Sequence, residues 1–303
     1  MRWPRSIRRN CWRACRVKSE PLVVAAVLTD ATHSIASALG LDSRSARLEA
    51  RVLAAHVLNV APSWLIAHDT DALDAASLLG FRALLDRRLV GEPIAYLTGR
   101  REFYGYIFRV TPDVLIPRPE TELLVERALA HIPPNTDFDI LDLGCGSGCV
   151  AISLALQRPL ARITALDHNA AALEVARDNA EHLNANVEFL SSDWYSALGD
   201  RQFDMIVSNP PYVANDDVHL SEGDVRFEPT SALVSGKDGL DALRHVIQGA
   251  HSYLRAPGYL LLEHGHDQAE QVARLFTIAG MASIQIWTDL AGIPRISACK
   301  LSE

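Results

Sequence analysis

Two stretches of this 303-residue chain carry residue types and backbone constraints suited to chemistry. In the first, an apolar run, Phe203-Asp204-Met205-Ile206-Val207, leads into Ser208-Asn209-Pro210-Pro211-Tyr212. Each proline holds the residue before it in an extended conformation, so the bend is stiff. It presents the Asn209 side-chain oxygen and the Pro210 carbonyl as two fixed acceptors, with Tyr212 just beyond. Two acceptors suit a planar –NH2 group, which has two hydrogens to donate. The same residues also make an ordinary strand-ending turn, so their meaning depends on what accompanies them.

The second stretch is Asp142-Leu143-Gly144-Cys145-Gly146-Ser147-Gly148, with Asp167 lying 23 residues past Gly144. Glycines at a strand-to-helix turn let a ligand approach the backbone, and an acid ending the next strand suits a ribose diol. Three ligands compete for such a loop. A nicotinamide dinucleotide wants Gly-x-Gly-x-x-Gly, and here the third glycine comes one residue early. A phosphate-binding loop wants Lys-Ser/Thr after the glycines, which is absent. S-adenosylmethionine is cationic and carries no phosphate, and the acids Asp139 and Asp142 ahead of the loop suit it best. Ser191-Ser192-Asp193-Trp194 would then flank the adenine, with Asp193 near its amino group and Trp194 packed on the ring. The plainer alternative is a glycine turn that serves only helix packing.

These residues need a scaffold that brings strand ends together. Asp139–Leu143, Arg162–Asp167, Val187–Leu190, Phe203–Ser208, Gly258–Glu263, Ser283–Trp287 and Arg295–Lys300 read as strands. Helical patterns cover Cys149–Leu156, Ala170–His182 and Ala269–Ile278. The alternation predicts an α/β fold: a Rossmann-like, doubly wound, mainly parallel seven-stranded sheet with helices on both faces. Residues 23–90 are helical instead. Asp30 starts a helix that Gly40 stops, and Asp42 or Ser43 caps one carrying Leu48, Val52, Leu53 and Val57. Pro62-Ser63 opens another around Trp64 and Leu65, and Asp74 caps one with Leu78, Phe81, Leu84 and Leu85. A small helical domain follows from these. Residues 91–116 read as a linker with a hairpin over Arg101–Val110, and 117–303 as the catalytic domain. On local grounds Pro117–Glu122 is a plain helix start.

Composition is ordinary for a globular protein, at 49% hydrophobic and 22% charged. The apolar run Leu22–Leu28 is too short to span a bilayer. The five cysteines form no Cys-x-x-Cys pair, so no metal site is expected, and free thiols in a reducing compartment are. Seven of the 29 Lys and Arg residues fall in the first 20 positions, against one acid. That leaves 22 basic and 36 acidic residues in the rest, a net −14. A body so acidic is ill suited to tracking phosphates, which weighs against a nucleic-acid substrate. The basic leader, residues 1–22, reads as a disordered tail dispensable for catalysis, since Pro4 and the scattered arginines give no apolar face. A targeting peptide, a nucleic-acid arm or an upstream start codon are the alternatives.

Taken together, Asp142–Gly148, Asp167, Asp193-Trp194 and Asn209–Tyr212 resemble the amino-methylating S-adenosylmethionine-dependent methyltransferases. More narrowly, Gly91–Gly99, Glu102–Gly105, Ile116–Glu122, Glu228-Pro229, Ala232-Leu233 and Gly236–Leu240 resemble the protein-(glutamine-N5) methyltransferases of peptide-chain release factors. The resemblance spans roughly residues 30 to 300. It departs at the basic leader and at Gly292-Ile293-Pro294-Arg295, where the usual acid before the arginine is missing. It implies S-adenosylmethionine held by Gly144, Cys145, Gly146, Ser147, Gly148, Asp167, Asp193, Trp194 and Asn209. It implies catalysis by Asn209, Pro210 and Tyr212, with the tyrosine walling the site against the sulfonium. Substrate binding would fall to Asn209, Pro210, Pro211, Tyr212 and Phe103, with the helical domain helping to recognise the protein. The expected substrate is the glutamine of the Gly-Gly-Gln motif of a release factor, methylated in the cytoplasm; the leader leaves organellar targeting open. No stable nucleic-acid partner and no membrane are expected. Alternatives are a glutamine methyltransferase of a ribosomal protein, a DNA or RNA amino-methyltransferase acting on a flipped base, and a non-catalytic adaptor that binds a release factor.

Overall fold

The structure, a computed structural model, describes residues 22–301, so the basic leader lies, but for Leu22, outside the described residues. The chain divides between Val90 and Gly91 into two compact units.

The first unit is helical: α1 (Val24–Leu39), α2 (Ser43–Leu58), α3 (Trp64–Ala67) and α4 (Ala75–Leu89). Helix α1 starts well before Asp30, because Val24, Val27, Ala31 and Ile35 continue one buried stripe. Gly40 ends it in the left-handed region at φ +67°. Asp42 caps α2 by accepting the Arg44 and Ser45 N–H groups at 2.8 and 3.0 Å. Asp74 caps α4 in the same way through Ala76 and Ser77. Leu48, expected on the inner face of α2, is exposed; Ala46, Ala50 and Leu53 fill that face instead. The Glu49–Arg88 ion pair at 2.8 Å ties α2 to α4.

The second unit opens with α5 (Ile94–Thr98), a short helix where the sequence predicts only a break. β1 (Arg100–Phe103) and β2 (Tyr106–Arg109) form the expected antiparallel hairpin. Phe103 packs edge-on against Phe108 at 6.0 Å, and both are fully buried. Then follow α6 (Glu122–His131), β3 (Phe138–Leu143), α7 (Cys149–Gln157), β4 (Ala161–Asp167), α8 (Ala170–Leu183), β5 (Val187–Ser191) and β6 (Phe203–Ser208). The chain finishes with α9 (Asp241–Tyr253), β7 (Leu254–Glu263), α10 (Ala269–Ile278), β8 (Ala282–Thr288) and β9 (Pro294–Lys300).

The large sheet has seven strands in the order β5-β4-β3-β6-β7-β9-β8, with β9 antiparallel to both its neighbours and the remaining pairings parallel. Alternate residues serve opposite faces. Ile140, Met205 and Val207 pack under α6, α7 and α8, while Leu141, Leu143 and Ile206 pack under α9 and α10. Both faces are thus apolar, which is why the central strands read as nearly continuous hydrophobic runs. From β3 the chain winds outward through β4 to β5, then returns to β6 on the other side of β3. That reversal opens a crevice at the carboxyl ends of β3 and β6, the usual ligand position in such sheets. No helix among the described residues is long and apolar enough to cross a membrane.

Candidate active site

The register of β3 sets the site. Leu143 pairs with Ser208 of β6 on one side and with Leu166 of β4 on the other. The glycine loop, the Asn209 bend and Asp167 therefore emerge side by side. Gly144 and Cys145 donate their N–H groups to the Leu166 carbonyl at 2.8 and 2.9 Å. Asp167 accepts the Gly146 and Asn169 N–H groups, both at 2.9 Å, one on each carboxylate oxygen. Each oxygen keeps a lone pair for a ligand.

The three glycines divide into two kinds. Gly144 and Gly146 have φ +74° and +53°, and a Cβ on either would meet nothing within 4 Å. Both line the cleft. Gly148, at φ +79°, would place a Cβ 2.9 Å from Ile152 Cδ1 and 3.2 Å from Ala176 Cβ. It is absent from the cleft lining and lets α7 pack against α8, so the helix-packing reading holds for this glycine alone.

One cleft gathers Asp142, Gly144, Cys145, Gly146, Ser147, Asp167, Asp193, Trp194, Asn209 and Pro211. Gly148, Pro210, Tyr212 and Phe103 are not among its lining residues. Asp142 is 2% exposed, and burial pushes its carboxyl up to about 7, with nearby Asp167 adding to the shift. A cation in the cleft would reverse that shift by favouring the carboxylate. Asp139 plays no such part. It sits near the opposite end of β3, held low in pKa by Arg162 and Arg255, each 2.6 Å away. The Cys145 and Cys149 thiols are buried and pushed up, the latter to about 12, which leaves them unreactive. The lining holds four aspartates, Asp113, Asp142, Asp167 and Asp193, and no lysine, and its Arg118 is already paired with Glu228. That balance fits a cationic ligand without phosphates.

At the Asn209 bend, Asn209 Nδ2 donates to Thr121 Oγ1 at 3.1 Å. Among the described residues no hydrogen bond reaches Asn209 Oδ1 or the Pro210 carbonyl. Tyr212 turns its hydroxyl away from the residues that line the cleft. Its hydroxyl donates to Glu263 Oε1 at 3.2 Å, because a phenol turned inward needs an acceptor. The Tyr212 carbonyl accepts Gln268 Nε2 at 3.0 Å. Gly239 passes so close that a Cβ there would lie 2.3 Å from that carbonyl, which accounts for a glycine in Gly236–Leu240. Phe103, expected to meet the substrate, is 1% exposed in the core, where its size and apolarity place it.

Residues 116–122 prove to be more than a helix start. Arg118 pairs with the buried Glu228 at 2.5 Å, and Glu228 Oε2 accepts the Ile116 N–H at 3.3 Å. Burial raises the Glu228 pKa and Arg118 draws it back. Arg118 and Thr121 line the cleft, as do Pro229, Ser231 and Ala232 from the far side of that clasp. The partners stand about a hundred residues apart, so local pattern could not find them; the stiff Pro-Arg-Pro was the sole signal. Arg295, whose preceding acid is missing, takes Asp289 instead at 3.1 Å. Among the described residues no His, Cys, Asp and Glu cluster could hold a metal ion.

Comparison with known proteins agrees with this geometry. Residues 120–227 match the family model for the methyltransferase small domain, and residues 26–99 that for the PrmC N-terminal domain. A release factor glutamine methyltransferase of Bordetella pertussis is 52% identical over 252 residues, which cover 83% of this chain and 93% of that protein. One of Burkholderia pseudomallei is 50% identical, over 84% of this chain and 92% of its own. A crystal structure of a methyltransferase from Pyrococcus furiosus shares the fold, with a TM-score of 0.51 at 17% identity, covering 72% of this chain and 98% of that one. At such identity and coverage of the curated relatives, this chain belongs to the release factor glutamine methyltransferase family.

Proposed function

We propose that this enzyme transfers a methyl group from S-adenosylmethionine to the side-chain amide nitrogen of the glutamine in the Gly-Gly-Gln motif of a peptide-chain release factor. The observation that carries the reading is the pair of unengaged acceptors, Asn209 Oδ1 and the Pro210 carbonyl, at the strand end beside the open glycine loop.

S-adenosylmethionine supplies an electrophilic methyl group on a sulfonium leaving group. Asp142, Gly144–Ser147, Asp167, Asp193 and Trp194 are the residues that would hold it, through backbone approach, three carboxylates and one aromatic face. The substrate nitrogen is a weak nucleophile, because its lone pair is delocalised into the carbonyl. Asn209 Oδ1 and the Pro210 carbonyl accept its two hydrogens, which aims the lone pair and favours a pyramidal nitrogen. Fixed placement of this kind accounts for most of the acceleration asked of the protein. No strong base is needed, since the proton becomes acidic once the new bond forms.

Two features favour a protein substrate over a base. The relatives at 52% and 50% identity are named for release factors, and residues 21–303 carry a net −14 that a polyphosphate backbone would meet as repulsion. The helical unit, residues 23–90, recognises the release factor in this reading, and the reaction takes place in the cytoplasm. Incubating the enzyme with tritiated S-adenosylmethionine and separate pools of release factor, ribosomal proteins, DNA and RNA tests it. Label on the release factor supports the reading, and label confined to another pool overturns it.

A further inference from the structure

The side-chain amide of Asn209 has two ends, and only one can serve an incoming –NH2 group. Oδ1 accepts a hydrogen from it; Nδ2 would set donor against donor. Nothing in the shape of an asparagine amide distinguishes the two, so its neighbours decide which way it sits. Here the neighbour is the Thr121 hydroxyl, 3.1 Å from Nδ2 and 2% exposed. A hydroxyl has one hydrogen to give. If that hydrogen pointed at Asn209, the amide would have to turn Oδ1 toward Thr121 and Nδ2 toward the cleft. The orientation of Asn209 therefore depends on where the Thr121 hydrogen goes.

A buried carboxylate beside the hydroxyl offers the destination. The carboxylate of Glu263, at the end of β7, is 1% exposed. Its Oε1 accepts the Tyr212 hydroxyl at 3.2 Å, and its Oε2 is buried with no aligned hydrogen bond. The Thr121 hydroxyl lies near enough to this carboxylate to draw its pKa back down against the rise caused by burial. No hydrogen bond runs from Thr121 to any backbone carbonyl among the described residues. A buried carboxylate oxygen requires a donor, and the Thr121 hydroxyl is the neighbouring group with a hydrogen still to place.

We infer that Glu263 is a positioning residue: its buried side chain, when ionised and so able only to accept, commits the Tyr212 and Thr121 hydroxyls as donors and so makes Asn209 present Oδ1 to the cleft. On this inference the observed bond from Asn209 Nδ2 to Thr121 Oγ1 continues from Thr121 to Glu263, every hydrogen pointing away from the substrate. Three segments that are distant in sequence, the Pro119–Thr121 turn, the β6 end and the β7 end, meet in it. The inference rests on the methyl-transfer reading for its purpose, while the orientation of Asn209 is measurable without any substrate.

Glu263→Gln tests it at constant volume, replacing one acceptor by a donor. At pH 8.5 we expect kcat on a release factor to fall at least tenfold, with the KM and the S-adenosylmethionine Kd within twofold of wild type. Thr121→Val should give a similar loss, Thr121→Ser should retain activity, and the double variant Glu263→Gln/Thr121→Val should be no worse than either alone, as for residues acting in one chain. The substrate-free readout is the Asn209 side-chain amide in a 15N–1H spectrum with S-adenosylhomocysteine bound. Its hydrogen exchange should be slowed in wild type and fast in Glu263→Gln and Thr121→Val. Wild-type protein that leaves release factors unmethylated would sink the functional reading, while the amide measurement would still decide this one. Slowed exchange and near-wild-type kcat in either variant overturn the inference. So does a loss of kcat matched by equal losses in donor binding and melting temperature, which would make Glu263 a scaffold residue only.

Discussion

The Ser208 hydroxyl donates to the Leu143 carbonyl at 2.6 Å, fastening the end of β6 to the end of β3. Both residues are fully buried. One step beyond this bond lie Gly144 on one strand and Asn209 on the other, so the glycine loop and the Asn209 bend share one base. Catalysis by placement needs such a base, since a misplacement of about 1 Å can cost a hundredfold in rate.

The glycine loop separates binding from stability. Gly144→Ala meets no atoms, so its cost to folding should be the left-handed backbone alone, about 1–2 kcal/mol. Its methyl would point into the cleft, and donor binding should suffer. Gly148→Ala bears the same backbone cost plus contact with Ile152 and Ala176, a further 1–3 kcal/mol or so. Denaturant midpoints and calorimetric donor titrations on both variants check this. A larger stability loss in Gly144→Ala than in Gly148→Ala would reverse the assignment.

Asp167→Ala should weaken S-adenosylmethionine binding by about 1–3 kcal/mol, the scale of a lost charged hydrogen bond. It also frees the Gly146 and Asn169 N–H groups, so the loop should exchange its amide hydrogens faster. Unchanged calorimetric affinity would mean that the carboxylate serves only the loop.

Asp142 gives donor binding a pH dependence. Its carboxyl is raised to about 7 by burial, so the free protein takes up a proton there below neutrality. A cationic ligand favours the carboxylate, so affinity should be constant above pH 8 and fall by up to tenfold per unit below pH 7. The apo protein has the opposite trend from this group: its stability contribution is full below the ordinary carboxylate pKa and is lost as pH rises from there through 7. Asp142→Asn should flatten the binding profile between pH 5 and 8 and remove only its own share of the stability profile, since the buried Glu263 carboxyl is also raised to about 7. A wild-type Kd independent of pH across that window contradicts the assignment.

Asn209→Ala should fold and bind S-adenosylmethionine, because its one side-chain bond, to Thr121, lies at the cleft wall rather than in the core. Turnover should drop about a hundredfold or more, the cost of losing a positioning contact. Single-turnover transfer near the wild-type rate would mean that amide capture occurs elsewhere.

The sheet was legible because both its faces are buried: β3, β4 and β6 are apolar enough to be read without knowing their partners. The glycine loop and the Asn-Pro-Pro bend were legible because prolines and positive-φ glycines impose local geometry. What stayed hidden depends on pairing across distance. Nothing near Thr121 shows that its hydroxyl meets Asn209, 88 residues later, and nothing near Glu228 shows that it clasps Arg118, 110 residues earlier. The partner of Tyr212 stayed hidden for the same reason, since its hydroxyl meets Glu263, which belongs to another strand. Phe103 was misplaced because an aromatic in a hairpin can serve either core or surface, and only Phe108 and the helices around it decide.

The central claim, methyl transfer to a release-factor glutamine, is tested most directly by mass spectrometry of a release factor incubated with enzyme and S-adenosylmethionine. The account predicts a gain of about 14 Da, one methyl replacing one hydrogen, on the glutamine of the Gly-Gly-Gln tip, formed far more slowly with Asn209→Ala enzyme and absent in a Gln→Ala substrate. A release factor that stays unmodified while a ribosomal protein or a nucleic acid gains the methyl group contradicts it.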